Sequence, residues 1–334
     1  MVINENDIVK CLNDFGIFNK IKKWDFLAHG PDHPVPYDVI RKIIFVELED
    51  SKKLVIKFIK EPIFTSDIIE HQSAFSDLLR KNGIDTPYRF TKNGKYCIPF
   101  FKDGILMDVT LEEWIGEKIP HFTLDLYKEV GETLGKMHKI AIDDSRAIGF
   151  SLLYNEIICR DTSYERLWGK ADHSFISATE YNKILDVYNK RLSIVKNIWT
   201  SLPRAAVQGD IYSCNNITVR DGKLSVFDFN LAGDEVLIGD ILQCWFRTIF
   251  DIKIQDDLNG VSLIELWRAF IGAYQKERPL TDIECKFFSD VYALLGVVYY
   301  TKLLAYYVLN NNKDKAEKEY SYLFELLQTQ EILL

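Results

Sequence analysis

The stretch that decides the fold reads Val207-Gln208-Gly209-Asp210-Ile211-Tyr212-Ser213-Cys214-Asn215-Asn216-Ile217, then Thr218-Val219-Arg220-Asp221-Gly222-Lys223-Leu224-Ser225-Val226-Phe227-Asp228-Phe229. Two short β-rich runs, 216–219 and 224–227, flank Asp221-Gly222, a dipeptide typical of hairpin turns. Asp210 and Asn215 precede the first run, and Asp228 follows the second. Because a hairpin returns the chain to its starting edge, we expect these three oxygen-bearing side chains at one end of it.

The three side chains suit the transfer of a phosphoryl group. That chemistry needs one carboxylate to accept the proton of the attacking hydroxyl, and an Asn with an Asp to hold magnesium against the phosphates. Magnesium prefers hard oxygen ligands and is usually held by one or two carboxylates together with phosphate. The residue types therefore favour phosphoryl transfer, with one carboxylate as the base and the other two side chains as metal ligands.

The spacing within this stretch resembles a known family. Asn215 stands five positions and Asp228 eighteen positions after Asp210, which is similar to the catalytic and metal-binding loops of the aminoglycoside phosphotransferase and choline kinase superfamily. The resemblance implies that Asp210 is the base and that Asn215 and Asp228 are the metal ligands. The family pattern is His-Gly-Asp-x-x-x-x-Asn, a hairpin and Asp-Phe, followed by a further Gly-Asp stretch that Gly233-Asp234 and Gly239-Asp240-Ile241 resemble. A loop with incidental acids is the alternative, and the spacing around a turn signal argues against it.

Two features depart from the family pattern. Gln208 stands where the family has His, a residue that braces the metal loop through hydrogen bonds; Gln can also donate and accept. The segment 29–36 is rich in proline and lacks a G-x-G-x-x-G loop. Prolines would make a stiffer cover over the phosphates than glycines would.

The N-terminal part predicts a β-rich lobe. The runs 43–48 and 54–59, joined by a polar turn, predict a hairpin, and the spacing of apolar residues predicts a helix over 66–81. Lys57 interrupts the second run, so we expect its side chain to face a cleft. The resemblance implies that Lys57 meets the α- and β-phosphates and that Glu70, on the helix, pairs with it; an edge lysine and a solvated glutamate are the alternatives.

A second hairpin is predicted at 96–101 and 105–111. The residues that follow it resemble the strand-to-hinge segment of these kinases, where backbone groups pair with adenine. The resemblance implies that Glu112, Glu113 and Trp114 lie along the nucleotide.

The remainder of the chain is predicted to be mostly helical. Residues 5–23 predict a first helix, and the chain is mostly helical from Leu124 onward, apart from the island described above. We expect His138, near the end of one helix, to be a packed residue. The resulting fold class is α+β, a protein-kinase-like two-lobed fold with a small β-rich lobe, 1–115, that binds the nucleotide. A larger helical lobe, 116–334, would carry catalysis and substrate binding.

Composition excludes several other classes of protein. The 334 residues include 41 Lys and Arg against 49 Asp and Glu, a formal net charge of −8. This lacks the broad positive field of a general nucleic-acid binder. The apolar segment 291–309 is interrupted by Lys302, which favours a buried helix over a membrane span. No basic and apolar leader is evident and no CxxC pair occurs, so we expect a cytoplasmic protein with reduced cysteines.

Acidic and aromatic residues that follow the metal loop are candidates for the acceptor site. Asp234, Glu235 and Trp245 are the first choices for substrate contacts, because carboxylates and aromatic rings suit an ammonium group. The alternative is that the acids are solvated and the rings belong to the core. Further members of the two clusters are Asp251, Asp256, Asp257, Trp267 and the tyrosines between 292 and 307.

The resemblance implies an enzyme that moves the γ-phosphoryl group of ATP, or of another nucleoside triphosphate, with Mg²⁺. The acceptor would be a hydroxyl of a small, amino-bearing and cationic molecule, first an aminoglycoside or amino-sugar, which would connect the protein to antibiotic resistance. A choline- or homoserine-type amino-alcohol kinase is one alternative. A non-catalytic kinase-fold binding module, favoured by Gln208 and the proline-rich segment, is another. Monomer and homodimer both stay open.

Overall fold

The structure, a computed structural model, describes residues 2–28, 39–116, 119, 123–154, 177–212, 215–255, 260–310 and 312–328. The chain divides into two units. Unit 1 comprises Met1–Lys118 and Ile217–Asn230, and unit 2 comprises Ile119–Asn216 and Leu231–Leu334. The proline-rich segment 29–36 and the acids Asp256 and Asp257 lie outside the described residues.

The β-rich runs of unit 1 form a five-stranded antiparallel sheet in the order β1-β2-β3-β5-β4. Its central strand, β3, is buried on both faces from Leu54 to Ile59, which explains why its sequence is nearly continuous in apolar residues. The two hairpins predicted for this region are confirmed. The strands are β1 (Ile21–Ala28), β2 (Ile40–Leu48), β3 (Lys53–Lys60), β4 (Ile98–Lys102) and β5 (Ile105–Glu113).

Two helices complete this part of unit 1. Helix α1 (Glu5–Asp14) begins at a capping box formed by Asn4 and Asp7. It ends before Gly16, whose φ of 78° is a left-handed conformation that glycine adopts without strain. The predicted helix over 5–23 is therefore too long. Helix α2 (Ser66–Lys81) begins at the N-cap Thr65 and has the predicted bounds.

The hairpin after the Asp210 loop also belongs to unit 1. Strands β7 (Ile217–Arg220) and β8 (Lys223–Val226) pair antiparallel through the turn at Asp221 and Gly222, which both have positive φ, as a type I′ turn requires. The amide of Val226 donates to the carbonyl of Asp85 at 2.8 Å. The predicted hairpin is confirmed, whereas the predicted contiguous division at 115/116 differs from the observed one, because this pairing draws 217–230 into unit 1.

Unit 2 is mainly helical. Its helices are α3 (Leu124–Asp144), α4 (Ala178–Ile198), α5 (Leu237–Gln255), α6 (Leu263–Glu277), α7 (Asp282–Leu309) and α8 (Lys313–Gln328). Strands β6 (Arg204–Val207) and β9 (Gly233–Val236) pair antiparallel. Short 3-10 helices span Trp199–Ser201 and Phe229–Leu231.

Helices α3 and α6 pack at close range because glycines of α3 face α6. A Cβ at Gly135 would lie 2.8 Å from the carbonyl oxygen of Tyr274, and one at Gly131 would collide with the backbone of Phe270. The predicted buried helix over 291–309 lies within α7, where Val291 and Leu294 are fully buried. Across the described ranges, no helix combines the length and apolarity that a bilayer crossing needs.

Candidate active site

A buried lysine organises the charged residues of unit 1. Lys57 on β3 is only 3% exposed, and its Nζ lies 3.0 Å from Oδ1 of Asp228 and 3.1 Å from Oε1 of Glu112. The other oxygen of Glu112, Oε2, lies 2.8 Å from Nη1 of Arg89. A buried charge is tolerated only when it is paired and hydrogen-bonded. In the lysine network, as we name Lys57, Arg89, Glu112 and Asp228, each charge has an opposite charge within 3.1 Å. The pairing is therefore complete, whereas Nε and Nη2 of Arg89 have no hydrogen-bond partner among the described residues.

Asp228 is held in an unusual backbone conformation directly after β8. Its φ of 56° lies in the left-handed region, which non-glycine residues adopt mainly where the surrounding structure enforces it. The 3-10 turn that follows is anchored by Gln72 of α2, whose amide donates to the carbonyl of Asn230 at 2.9 Å. The side chain of Asp228 remains 31% exposed. The carboxylate is thus fixed by Lys57 yet reaches the surface of unit 1.

The charge of Lys57 controls the protonation of Asp228. Burial alone would raise the pKa of this carboxyl, but the nearby ammonium group and its hydrogen bond lower the pKa below the ordinary value. Asp228 is therefore ionised at neutral pH, as a metal ligand must be.

The predicted ion pair between Lys57 and Glu70 is wrong. The carboxylate of Glu70 accepts hydrogen bonds from the backbone amides of Tyr96 and Cys97, at 2.9 and 2.8 Å, and so fixes the start of the β4–β5 hairpin. Glu112 occupies the position beside Lys57 instead. The physical reason is strand register: Glu112 lies opposite Val55, and residues two apart on a strand share a face, so Glu112 and Lys57 are diagonal neighbours.

The predicted hinge residues begin inside the sheet. The amides of Glu113 and Trp114 donate to the carbonyls of Tyr88 and Lys53, at 2.9 and 3.0 Å. The carboxylate of Glu113 also lies 3.2 Å from Arg220. Both backbone amides are already hydrogen-bonded within unit 1, so they do not support pairing with adenine. The assignment of Glu112, Glu113 and Trp114 to adenine stays a prediction.

The Asp210 loop of unit 2 is braced from several sides. The buried Gln208 accepts a hydrogen bond from the amide of Asp210 through Oε1, at 2.6 Å, and Gln243 of α5 donates to the carbonyl of Gly209. Gly209 has a φ of 77°, and a Cβ there would lie 2.7 Å from the carbonyl of Leu231. Gln208 thus provides the bracing hydrogen bond expected of the family His.

Both carboxylate oxygens of Asp210 have neighbours in unit 2. Oδ2 accepts from Nδ2 of Asn216 at 2.7 Å, and Oδ1 forms an ion pair with Nη1 of Arg247 on α5. Asn215, the predicted metal ligand, is adjacent to Asn216, and its amide donates to the carbonyl of Tyr212 at 2.8 Å. Sequence reasoning missed Asn216, Arg247 and Arg89. The doubled Asn215-Asn216 was a visible signal for the first of them.

The predicted substrate residues are hydrogen-bonded or packed within unit 2. Asp234 accepts from the amides of Ile148 and Gly149, at 2.8 and 2.7 Å. Glu235 accepts from Ser151 Oγ and from the amide of Leu153, at 2.8 and 2.9 Å. Trp245 is 5% exposed and packs against Tyr127 and Trp267. Glu235 and Trp245 are buried, which argues against substrate contacts for these two, whereas Asp234 is partly exposed and its assignment stays a prediction.

Burial of Glu235 changes its charge. Desolvation raises the pKa of this carboxyl to about 8, although the hydrogen bonds from the 151–153 segment oppose the rise. Glu235 is therefore largely neutral at pH 7, unlike Asp228.

The second Gly-Asp motif supports the core of unit 2. His138 is fully buried, with Nε2 3.0 Å from Asp240 Oδ2 and Nδ1 2.8 Å from the hydroxyl of Tyr274. Arg278 donates to the same hydroxyl and pairs with Glu284. His138 is a packed residue, as predicted, and Asp240 holds it in place.

Each unit by itself offers hard oxygen atoms, which would suit magnesium better than a transition metal. In unit 1, Asp228 offers a carboxylate and Lys57 a cation for phosphate oxygens. In unit 2, Asn215 offers an amide oxygen. Among the described residues, no group of three His, Cys, Asp or Glu side chains forms a metal site by itself.

Comparison with known proteins supplies the fold. No protein-family model matches the chain. A protein of Deinococcus radiodurans described as uncharacterized is 29% identical over 79 residues, 24% of this chain and 22% of that protein, so the match spans about a fifth of the relative.

Solved structures match over nearly the whole chain. An amicoumacin kinase in complex with AMP-PNP and Ca²⁺ is 15% identical, with a TM-score of 0.66 over 97% of this chain and 94% of its own. A microcompartment-associated aminopropanol kinase is 14% identical, with a TM-score of 0.64 over 97% and 95%. A choline kinase of Streptococcus pneumoniae is 13% identical, with a TM-score of 0.53 over 97% and 98%.

The chain shares the fold of these solved small-molecule kinases. The α+β, kinase-like fold class predicted from the Asp210–Asp228 stretch is thereby confirmed. Unit 1 contributes the five-stranded sheet of this fold, and unit 2 contributes its helices.

Proposed function

We propose that the protein is a small-molecule kinase that transfers the γ-phosphoryl group of ATP to a hydroxyl group of an amino-bearing acceptor. The observation that carries the proposal is the pairing of Lys57 with Asp228, which lie 171 residues apart in sequence. A buried lysine beside an ionised carboxylate is the arrangement that phosphoryl transfer uses to hold phosphates and metal. The kinase fold and the spacing of Asp210, Asn215 and Asp228 support the same reading.

Each residue has a role in this proposal. Asp210 accepts the proton of the acceptor hydroxyl as its oxygen attacks the γ-phosphorus. The new oxygen–phosphorus bond forms while the bond to the β–γ bridging oxygen breaks, and the leaving nucleoside diphosphate takes that electron pair. Lys57, positioned by Glu112, binds phosphate oxygens. Asn215 and Asp228 would hold Mg²⁺, which offsets the charge of the phosphates.

The solved relatives indicate the acceptor class. Two of them are named as kinases of aminopropanol and choline, which are amino alcohols, and another as a kinase of amicoumacin. We propose an amino-bearing hydroxyl compound of this kind, either an amino alcohol or a larger amino-sugar antibiotic. A cytoplasmic location, and a role in antibiotic resistance if the acceptor is such an antibiotic, are parts of this proposal.

The test separates nucleotide binding from transfer. Thermal stabilisation by ATP with and without Mg²⁺ reports binding, and nucleoside diphosphate release against a panel of amino alcohols, aminoglycosides and macrolides reports transfer. Asp210→Asn should lower kcat by about 10²–10⁴, the usual contribution of a general base, while the Mg²⁺-dependent thermal shift persists. Asp221→Asn is the matched control, because Asp221 is exposed at the hairpin turn.

Two results would contradict the proposal. Turnover of Asp210→Asn near the wild-type rate would remove Asp210 as the base. No thermal shift with millimolar ATP or GTP would remove nucleotide binding altogether. Binding without transfer to any acceptor would favour the non-catalytic module.

A further inference from the structure

The carboxylate of Asp210 is engaged on both oxygens by groups of unit 2. Asn216 donates to Oδ2 at 2.7 Å, and the guanidinium of Arg247 pairs with Oδ1. A general base needs a free oxygen within hydrogen-bond distance of the proton that it accepts. Asn216 lies on the same loop as Asp210 and has a neutral side chain. Arg247 is charged and lies on α5, further along the chain.

Arg247 is held by two tyrosines and keeps part of its side chain exposed. Its Nε donates to the hydroxyl of Tyr299 on α7 at 3.0 Å, and its guanidinium lies over the ring of Tyr212, 5.4 Å from the centroid. The side chains of Arg247 and Asp210 are 18% and 17% exposed. Arginine presents several donors in a planar fork that fits a carboxylate or phosphate group. With Tyr212 and Tyr299 fixing its plane, Arg247 can exchange one carboxylate for another without leaving its site.

We propose that Arg247 is a specificity-determining residue that binds an anionic group of the acceptor, a carboxylate, and thereby releases Oδ1 of Asp210 for catalysis. The inference rests on the proposed kinase function and narrows its acceptor class. An acceptor with only an ammonium group leaves Arg247 paired with Asp210 and places a second positive charge beside it. An acceptor with a carboxylate replaces the Arg247–Asp210 pair by an equivalent one. The chain therefore selects hydroxyl compounds that carry both an amino and an acid group.

The experiment compares acceptors that differ only in the acid group. Suitable pairs are serine and ethanolamine, threonine and 1-amino-2-propanol, homoserine and 3-amino-1-propanol, and, at the size of an amino-sugar, muramic acid and glucosamine. For the full-length wild-type protein, kcat/KM is measured by nucleoside diphosphate release and by detection of the phosphorylated product. Since one charge-assisted hydrogen-bonded pair is at stake, the acid-bearing member of the productive pair should be favoured by about 10- to 100-fold.

Variants of Arg247 distinguish two roles, namely binding of the acceptor's carboxylate and positioning of Asp210. Arg247→Gln should lower kcat/KM for the acid-bearing member and leave or raise that for its partner, which brings the two close to parity. Arg247→Lys should retain part of the preference through its charge. Arg268→Gln, which removes an exposed arginine of α6, should retain the wild-type preference. Melting temperatures of all variants monitor folding.

Several results would overturn the inference. A wild-type enzyme that treats both members of each pair equally, prefers the acid-free member, or accepts none of the pairs would remove it without need of any variant. An equal loss for both members in Arg247→Gln would make Arg247 a support of Asp210 only. In each case, turnover of other acceptors and Mg²⁺-dependent stabilisation by ATP would leave the proposed kinase function standing. Their absence would remove both.

Discussion

The acidic residues of unit 1 and those of β9 in unit 2 have opposite environments. In unit 1, Asp228 faces Lys57, and Asp85 accepts hydrogen bonds from Arg220 and Ser225. On β9, Glu235 accepts hydrogen bonds from the hydroxyl group of Ser151 and the backbone amide of Leu153, which are both neutral donors. The pKa values of Asp228 and Asp85 are lowered, and that of Glu235 is raised to about 8.

The acidic residues behind the net charge of −8 therefore fall into two groups that differ in protonation state and in role. An acid beside a cation stays ionised and can hold a metal or position a lysine. An acid that is buried among neutral donors becomes a neutral anchor of the backbone. The acids around Lys57 therefore belong to the site, whereas Glu235 belongs to the fold. Three substitutions test the division, and the first concerns activity.

The largest effect is expected at Glu112. Glu112→Gln removes the charge that holds both Lys57 and Arg89, so Lys57 is less well positioned for phosphate. We expect kcat/KM for ATP to fall by about 10- to 100-fold, the range for loss of a charge-assisted hydrogen-bonded pair. Steady-state kinetics at saturating acceptor measure it.

Glu70→Gln is the matched control for that substitution. A glutamine still offers one carbonyl oxygen to the amides of Tyr96 and Cys97, so kcat/KM for ATP should change less than threefold, about 0.6 kcal/mol. If Glu70→Gln were as damaging as Glu112→Gln, the position of Glu112 beside Lys57 would not be the one that matters in the working enzyme.

Glu70 and Glu112 also show how far the sequence could lead. Helix α2, the β2–β3 hairpin and the β7–β8 hairpin depend on local signals, and all three are predicted. These signals are the helical spacing of apolar residues, two β-rich runs around a polar turn, and an Asp-Gly turn. The partner of Lys57 depends on the pairing register of β3 with β5, which joins residues about 55 positions apart. Order along the chain favoured Glu70, because a register cannot be read from spacing within one strand.

The Asp210 loop shows the same limit, because its partners also come from elsewhere in the chain. Its motif predicted Asp210 and Asn215 from residue types within a few positions. Arg247 reaches Asp210 from α5, and Gln243 supports Gly209 from the same helix. Their place depends on how a helix packs against a loop, and no local pattern encodes that packing. The hydrogen-bond partners of Asp234 and Glu235 could not be predicted for a related reason, since they lie at 148–153, more than 80 residues earlier.

An intermediate effect, on stability, is expected at Asp85. Burial would raise its pKa, but the hydrogen bonds from Arg220 and Ser225 lower it, so the ionised form stabilises the fold above its ordinary pKa of about 3.9. This contribution is lost as the pH falls through the lowered pKa of the folded state. Asp85→Asn should therefore reduce the free energy of unfolding by about 1 kcal/mol at pH 7. The difference from wild type should shrink toward pH 3.

Urea unfolding at several pH values measures this difference. Asp103→Asn, at an exposed turn between β4 and β5, is the control and should have no pH-dependent effect beyond a few tenths of a kcal/mol. A difference for Asp85→Asn that stayed constant down to pH 3 would show that Asp85 acts by shape and not by charge.

An effect of opposite sign, on the pH dependence of stability, is expected at Glu235. Its pKa is about 8 in the folded state and about 4.3 in an unfolded chain. Between these values the unfolded chain binds fewer protons than the folded one, so this residue makes the free energy of unfolding decrease as the pH rises, by at most about 1.4 kcal/mol per pH unit. The contribution is complete below about pH 4 and is lost toward pH 8.

Glu235→Gln keeps the acceptor for Leu153 and does not titrate, so its stability relative to wild type should rise from pH 5 to pH 8. Urea unfolding of the two proteins at pH 5 and pH 8 measures how the difference in their free energies of unfolding changes with pH. Glu132→Gln, on the exposed face of α3, is the control. A relative stability that instead falls over this range would mean that Glu235 is ionised and paired like Asp228. The opposite environments of the two sets of acids would then disappear, because an ionised Glu235 would need a cation that its hydrogen bonds to Ser151 and Leu153 do not provide.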